Sequence, residues 1–166
     1  PETFEDILNS ILWLGKMTGA EAEAMEVVDT MTARVEAIQT ALAGAEPVPV
    51  YLEIWDDPLM TVGPGSFMDE LLTMAGGLNI AYDAAIPWPE ISLETIVDRD
   101  PQVIFAHYEH NYRALINGER PGWSNIAAIK NGRVHFVEET LVSRPGPRIV
   151  EGLELLARHI HPERFE

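Results

Sequence analysis

The sequence lacks cysteine altogether, has few lysines and contains no long hydrophobic run. Without cysteine, disulfide bonds and thiol chemistry are excluded, and the strongest class of structural zinc site is removed. Only two lysines stand beside nine arginines, and the formal net charge is −16 at pH 7. This charge argues against a nucleic acid partner, because no basic stripe could neutralise phosphates. No run approaches the roughly 18 apolar residues that a membrane-spanning helix needs, so the chain is predicted not to span a membrane itself.

Motifs that carry catalysis are also missing. The turn Gly63-Pro64-Gly65-Ser66 is not followed by Gly-Lys-Ser/Thr, and no glycine stands two residues past its serine. It therefore predicts neither a phosphate loop nor a nucleophile elbow. The acid pairs Asp56-Asp57 and Glu138-Glu139 are sequence neighbours, whose side chains usually diverge on an extended backbone. The sequence predicts a protein that is not an enzyme and that has no intrinsic cofactor.

The first 46 residues differ from the remainder because their apolar side chains follow helical spacing. One helix is predicted over 4–17, with Gly15 and Gly19 marking its end or a kink. A second helix is predicted over about 20–43, which at about 1.5 Å per residue would be roughly 36 Å long. Such a helix is longer than one compact lobe needs, so we expect it to connect two lobes. The predicted division is a helical segment, 1–46, and an α/β ligand-binding lobe, 47–166.

Beyond Pro47, strand patterns alternate with helix patterns. Strands are predicted over 48–54, 102–106 and 133–138. Helices are predicted after Ser66, with Asp69 at the capping-box spacing, after Ser92, over 111–116, and over 147–160 with the proline first. Strands that alternate with helices usually form a largely parallel sheet covered on both faces. The predicted fold class is therefore α/β, a three-layer lobe with a mostly parallel central sheet, preceded by the long helix.

Polar and aromatic side chains gather where the predicted strands end. Trp88 stands between two prolines that can hold its indole outward, or it packs half-buried. A polar cluster, His107-Tyr108-Glu109-His110, follows the second predicted strand. The loop after the first strand, 55–58, and the turn that follows it supply Trp55, Asp57, Gly65 and Ser66. Because ligands bind at the carboxyl ends of parallel strands in open α/β sheets, these segments predict one wall of a cleft.

Two arginines, Arg144 and Arg148, flank Pro145-Gly146-Pro147 just before the last predicted helix. A guanidinium in this position can bind a carboxylate or hydroxamate oxygen through two hydrogen bonds. The alternative is a surface salt bridge to one of the many acids. For the cluster at 107–110, the alternatives are metal ligation, contact with a bound ligand, and a polar loop whose side chains point in different directions.

Four motifs in this order resemble the C-terminal lobe of the class III ABC-transporter solute-binding proteins, which capture ferric siderophores, cobalamin, haem or related metal chelates. The motifs are 75–80 (AGGLNI), 88–94 (WPEISLE), 123–134 (WSNIAAIKNGRV) and 144–148 (RPGPR). The resemblance covers nearly the whole chain. It implies a periplasmic or extracytoplasmic location, with a lipid anchor to the cell membrane as one option, and it implies a membrane permease as partner. The family's N-terminal lobe has no counterpart in this sequence, so the chain alone is expected to bind weakly.

The resemblance also implies roles for individual residues. The tryptophan that matches Trp88 can lean against the bound ligand, an iron(III) chelate, cobalamin or haem, because its flat aromatic face suits a corrin, porphyrin or catecholate ring. The glutamate that matches Glu94 pairs with arginines of the permease, although an acid in a first helical turn is also favoured by the helix dipole alone. Predicted ligand contacts are Trp88, Tyr108, Arg144, Trp55, His107 and Ser66, with no resident metal. Two rival functions remain: a free-standing interaction domain, and a receptor for a bare metal ion that needs His107, His110 and a carboxylate to converge.

Overall fold

Two helices open the chain, and short strands then alternate with helices. The structure is a computed structural model that describes residues 2–165. The helices are α1 Phe4–Thr18, α2 Glu21–Ala41, α3 Phe67–Met74, α4 Leu93–Arg99, α5 Glu109–Ile116, α6 Ala127–Lys130, α7 Glu139–Ser143 and α8 Ile149–Ile160, followed by a 3₁₀ turn at Pro162–Arg164. The strands are β1 Val48–Asp56, β2 Leu59–Thr61, β3 Gly77–Asn79, β4 Val103–Ala106 and β5 Val134–Phe136.

Strand β1 lies at the centre of the sheet. Along one edge it pairs in parallel with β4, which pairs in parallel with β5. The other edge is shared: β3 runs parallel to Val48–Val50, and β2 runs antiparallel to the end of β1 at Glu53–Asp56. The sheet is therefore parallel except for the short β2, and the α/β fold class is confirmed.

Alternate residues of β1 face two different hydrophobic cores, as the period of a strand requires. Val50 and Leu52 pack with buried side chains of α1, α2, α3, α7 and α8. Tyr51 packs on the opposite face with buried residues of α4, α5 and α6. Helices thus cover both faces of the sheet, which explains why β1 and β4 carry almost continuous apolar runs.

The two N-terminal helices form as their spacing predicts. Thr3 caps α1 in a reciprocal capping box with Asp6, and Gly19 ends the helix in the left-handed region at φ 76°. Gly15 neither ends nor kinks the helix: it is buried inside α1, where a Cβ atom would overlap the Cβ of Ala24. Helix α2 has 21 residues, which makes it roughly 32 Å long.

Several boundaries differ from the prediction. The predicted loop at 55–58 is partly strand, because β1 continues to Asp56 and turns through the cis Asp57-Pro58 bond into β2. The strands β2 and β3 and the helices α6 and α7 were not predicted. The last helix begins at Ile149, with Arg148 as its N-cap, so Pro147 is not its first residue.

The proposed capping box at Ser66 is only half formed. The Ser66 hydroxyl accepts a hydrogen bond from the backbone N–H of Asp69. The Asp69 carboxylate does not complete the box and instead accepts from the Asn79 side chain at 2.7 Å. This hydrogen bond from Asn79 to Asp69 links α3 to the end of β3.

Hydrogen bonds join the end of α8 to distant parts of the chain. The Arg133 guanidinium donates to the backbone carbonyls of His159 and Ile160, at 2.9 and 2.8 Å, and so satisfies carbonyl groups that a helix end leaves free. The buried His161 ring contacts the Gly76 carbonyl through Nε2 at 3.0 Å. Within residues 2–165, none of the helices combines the length and apolar character needed to cross a membrane.

Candidate functional site

Two aromatic side chains meet where β1 and β4 end. The rings of Trp55 and Tyr108 lie 5.5 Å apart at an interplanar angle of 88°. The Trp55 indole N–H donates to the Asp57 carbonyl at 2.8 Å, which orients the ring. Trp55 remains 44% exposed, and Tyr108 is half-buried. Because β1 and β4 are neighbouring parallel strands, the predicted convergence of these two residues at the carboxyl edge is observed.

A buried ion pair begins two residues before Trp55 in β1. Glu53 in β1 is fully buried, and Arg120 donates to both of its carboxylate oxygens, with 2.9 Å between Nη2 and Oε1. The guanidinium carbon also lies 5.2 Å from the centre of the Trp123 ring. Burial raises the pKa of Glu53, and the hydrogen bonds from Arg120 oppose that rise. Sequence reasoning missed both residues of this pair.

Asp56 connects the ion pair to the edge of the sheet. Its Oδ2 atom lies 3.9 Å from Arg120 Nη2 and 3.9 Å from His110 Nε2, and its side chain is 35% exposed. The His110 ring lies 5.8 Å from the Tyr108 ring. A continuous series of contacts therefore runs from the exposed aromatic pair to the buried Glu53.

Further buried polar groups lie close to Glu53. Asn111, in the first turn of α5, is 1% exposed and forms no well-aligned hydrogen bond, but its amide is close enough to the Glu53 carboxylate to lower the pKa of that group. The Tyr51 hydroxyl is likewise buried near Glu53. Burial raises the pKa of Tyr51 well above its usual value, and the nearby Glu53 carboxylate raises it further.

His107 ends β4 but does not join a metal site. It is 7% exposed, and its Nδ1 atom lies 3.1 Å from the Val137 carbonyl, which links the ends of β4 and β5. Burial lowers its pKa, so the neutral imidazole is favoured. Residues 2–165 contain no cluster of three or more histidines and carboxylates placed to hold a metal ion. His107, His110 and a carboxylate do not converge.

The segment around Trp88 lies beside β2. The backbone N–H groups of Thr61 and Gly63 donate to the carbonyls of Pro89 and Pro87, at 3.1 and 2.8 Å. Pro89 is buried, whereas Trp88 is 46% exposed. This half-exposed position is compatible with both alternatives given for Trp88, and ligand contact remains a prediction.

The Ser66 hydroxyl is occupied within its own turn. It donates to the Gly63 carbonyl at 2.8 Å and accepts from the Asp69 N–H at 3.1 Å. The residue is 5% exposed. A ligand would have to compete with both bonds, so its predicted contact requires local rearrangement.

The two arginines near α8 are exposed. Arg144 and Arg148 line a depression of about 470 Å³ together with Glu138. Arg148 lies 3.3 Å from Glu151. Arg144 has no ion-pair partner among residues 2–165, so its charge remains available to a ligand. Its predicted role stays a prediction.

Glu94 is exposed in the first turn of α4, after the N-cap Ser92. It borders a depression of about 420 Å³ that Asp98 and Arg99 also line. Arg99 is held by two hydrogen bonds of 2.8 Å to Asp83. The exposed position suits a docking contact, and this role stays a prediction.

The chain is similar to known proteins along nearly its whole length. A family model described as "Periplasmic binding protein" matches residues 1–140. The chain is 34% identical over 169 residues to the uncharacterised ABC transporter substrate-binding lipoprotein YvrC of Bacillus subtilis, covering 99% of this chain and 53% of that protein. It is 25% identical over 161 residues to a vitamin B12-binding protein of Vibrio cholerae, covering 96% of this chain and 57% of that protein. The chain thus spans little more than half the length of these curated relatives.

Solved structures agree with the fold. A structure described as a "possible" iron-binding (periplasmic solute-binding) protein from Staphylococcus epidermidis superposes with a TM-score of 0.84 at 28% identity, covering 96% of this chain and 63% of that one. The periplasmic vitamin B12-binding protein BtuF of Vibrio cholerae gives a TM-score of 0.85 at 24% identity, covering 99% of this chain and 64% of that one. The second similarity concerns the fold alone.

Proposed function

Because the chain belongs to the periplasmic binding protein family of ABC-transporter substrate-binding proteins, we propose that it is one lobe of a receptor that captures a metal chelate outside the cytoplasm. The receptor delivers the chelate to the membrane permease of an ABC importer. Vitamin B12 is the ligand named for the Vibrio cholerae relative, and Fe3+-hydroxamate and haem are named for two solved structures of similar fold from Saccharomonospora viridis and Roseiflexus. The vitamin B12 and haem proteins are named as binding proteins, which supports a function without catalysis.

The observation that carries this proposal is the perpendicular pair of Trp55 and Tyr108 at the carboxyl edge of the sheet. Aromatic faces provide a large contact area for a corrin, porphyrin or hydroxamate complex. The exposed indole of Trp88 adds a further flat surface, on a segment that adjoins β2. Ligands in open α/β sheets bind at this edge.

The domain organisation supports a site with two walls. We infer that residues 47–166 form one wall and that α2, which is 21 residues long, connects this lobe to a second. The relatives are almost twice as long as this chain. With one wall, half the contacts are lost while most of the entropy cost of association remains, so the 166 residues alone should bind weakly.

A titration of tryptophan fluorescence tests the binding function. Cyanocobalamin, haemin and a ferric hydroxamate are each added to the chain up to millimolar concentration. Trp55→Ala should remove most of the response to the ligand that binds, while Trp13→Ala, which removes an exposed tryptophan of α1, should leave the affinity unchanged. If none of these chelates alters the spectrum of the chain or of a longer native form, the proposal is wrong.

Docking to the permease is proposed to use Glu94. An exposed carboxylate in an acidic setting speeds encounter with a basic partner more than it adds affinity. In vesicles that contain the cognate permease, Glu94→Ala should slow ligand uptake without changing ligand affinity. Glu36→Ala, which removes an exposed acid of α2, serves as the matched control. Equal uptake by the two variants would contradict this role.

An interaction domain remains the second candidate, because several large apolar side chains of α1 and α2 are exposed. They are Leu12, Trp13, Leu14, Met17 and Met25. In the two-lobe receptor these side chains would contact the second lobe, whereas in an interaction domain they would bind another protein. The mass of the native protein distinguishes the two: a product longer by a lobe of roughly 100 residues supports the receptor, and a product of 18.5 kDa supports the interaction domain.

A further inference from the structure

We propose that the site selects chelates whose periphery carries a positive charge or N–H donors, and that it discriminates against anionic chelates. The inference rests on the proposed function and narrows its ligand class. The group that recognises the positive periphery is the Asp56 carboxylate together with the faces of Trp55 and Tyr108.

The aromatic pair favours a cation. The face of an aromatic ring carries partial negative charge, so a cation placed over it is attracted, most strongly by tryptophan. Trp55 and Tyr108 stand at 88° to each other with 5.5 Å between ring centres. Trp55 is oriented by its bond to the Asp57 carbonyl and is 44% exposed, so its surface is available without rearrangement.

The carboxylate beside the pair is incompletely neutralised. The positive neighbour of Asp56 is Arg120, at 3.9 Å from Nη2 to Oδ2. That guanidinium already donates two hydrogen bonds to Glu53. Two carboxylates thus share one arginine. Because Glu53 is fully buried and Asp56 is 35% exposed, the uncompensated charge is the one that faces solvent.

A second observation concerns the polar groups around Glu53. Asn111 is 1% exposed, one residue after His110, whose ring contacts Tyr108, and its amide lies close enough to the Glu53 carboxylate to lower the pKa of that group. Arg120 and Asn111 therefore both stabilise the buried Glu53 carboxylate rather than the more exposed Asp56 carboxylate.

These features predict which metal chelates bind well and which bind poorly, according to their charge. A ferric hydroxamate that carries a free ammonium group, or a corrinoid whose rim carries primary amides, offers the groups that Asp56 and the rings attract. A tricatecholate complex or the propionates of haem would bring negative charge to a carboxylate that has no spare cation. Arg144, exposed beyond α7, lies outside the series of contacts that joins Asp56 to the rings.

The test compares two chelates that differ only in charge. Ferrioxamine B carries one ammonium group, and its N-acetyl derivative has the same iron centre without that charge. Binding is measured by tryptophan fluorescence and by NMR of the indole N–H groups at about pH 8, where an ordinary histidine is neutral and an alkylamine is still charged. We expect ferrioxamine B to bind about five- to thirty-fold more tightly than the acetylated form.

Two variants test whether Asp56 causes the preference for the charged chelate. Asp56→Asn should reduce the preference to about two-fold or less, whereas Glu46→Gln, which removes an exposed acid just before β1 and so at the opposite edge of the sheet, should preserve it. Equal affinity of the native chain for both forms of ferrioxamine B would overturn the inference. Tighter binding of ferric enterobactin, the anionic probe, would also overturn it. Neither result would contradict the proposed function as a chelate receptor. A failure of all these chelates and of cyanocobalamin to bind would overturn the proposed function, and this inference with it.

Discussion

At the scale of single residues, the most unusual contact is a stack of two histidines. The rings of His135 in β5 and His159 in α8 lie 3.9 Å apart at 22°, and Phe105 packs against both. Burial, together with the positive charges of His159 and Arg133, lowers the pKa of His135 to about 4. Protonation of both rings would place like charges in contact.

This stack predicts a loss of stability in acid. The unfolded chain binds a proton at His135 near its ordinary pKa of about 6.5, whereas the folded chain binds it only at about 4. The stability contributed by the neutral ring is therefore complete above pH 6.5 and is lost as the pH falls from about 6.5 to about 4. Because the ring is partly exposed, the expected loss is roughly 1–3 kcal/mol.

Urea unfolding measured across this pH range should show the effect. In His135→Phe, which keeps an aromatic ring in the stack, the free energy of unfolding should fall less steeply with acidification than in the native chain. Phe136→Leu, which changes a partly exposed residue of the same strand and removes no titratable group, should keep the native slope. Parallel curves for the native chain and His135→Phe would contradict the prediction.

The buried ion pair predicts a large difference between two arginines. Arg120→Ala leaves the Glu53 carboxylate buried without its partner, which should lower the free energy of unfolding by about 3–5 kcal/mol. Arg113→Ala removes an exposed pair with Glu109 on α5 and should cost about 0.5 kcal/mol or less. Equilibrium unfolding in urea, followed by circular dichroism, compares the two. Similar midpoints would show that Glu53 is solvated or protonated rather than dependent on Arg120.

The candidate site was only partly predictable from the sequence. Trp55 and Tyr108 could be placed together because each follows a predicted strand and parallel strands end at one edge. The Glu53–Arg120 pair was missed because its members are 67 residues apart and Arg120 lies in a loop. A signal was nevertheless present: a glutamate inside the apolar run of β1 requires a buried partner.

At the scale of elements, length explains most of what could be predicted, and the three-residue strand β5, predicted at 133–138, is the exception. The helices α1 and α2 and the strands β1 and β4 carry several periods of their patterns, and each was predicted to within a few residues. The strands β2 and β3 have three residues each, which is too short for any period to be visible. Their positions are fixed by pairing with β1, a tertiary contact that local sequence does not contain.

The packing of α7 on α8 predicts that Gly152 cannot be replaced by a residue with a side chain without loss of stability. A Cβ atom at Gly152 in α8 would overlap the Leu141 carbonyl oxygen and lie 2.9 Å from its carbon. Gly152→Ala gains up to about 1 kcal/mol of helix propensity, but the backbone clash should cost more, with a net loss of roughly 1–3 kcal/mol. Gly146→Ala, where nothing lies within 4 Å, is the control. A thermal midpoint for Gly152→Ala at or above the native value would refute this packing.

At the scale of the whole molecule, charge is the dominant feature. A net charge of −16 over 166 residues favours solubility, but its self-repulsion opposes the compact state. Raising the ionic strength from about 0.01 M to 0.15 M shortens the screening length from about 30 Å to 8 Å. The thermal midpoint should therefore rise with salt.

Scanning calorimetry in sodium and potassium chloride checks this expectation, and the two salts should act alike because screening is not ion-specific. A variant with three exposed acids neutralised, Glu26→Gln, Glu36→Gln and Glu46→Gln, should melt higher at low salt and respond less to added salt. A midpoint that stays constant or falls with salt would show that attractive ion pairs outweigh the repulsion.

The hydrogen bonds that hold the end of α8 also affect the order of folding. The core on the α1, α2 and α3 side of the sheet is completed by buried side chains of α8. The helix is then held by Arg133 and by the bond between His161 and Gly76, which are 85 residues apart. Contacts of such separation form late, because a long loop must close first. During synthesis, the native packing of α8 therefore cannot be completed until residue 161 has left the ribosome.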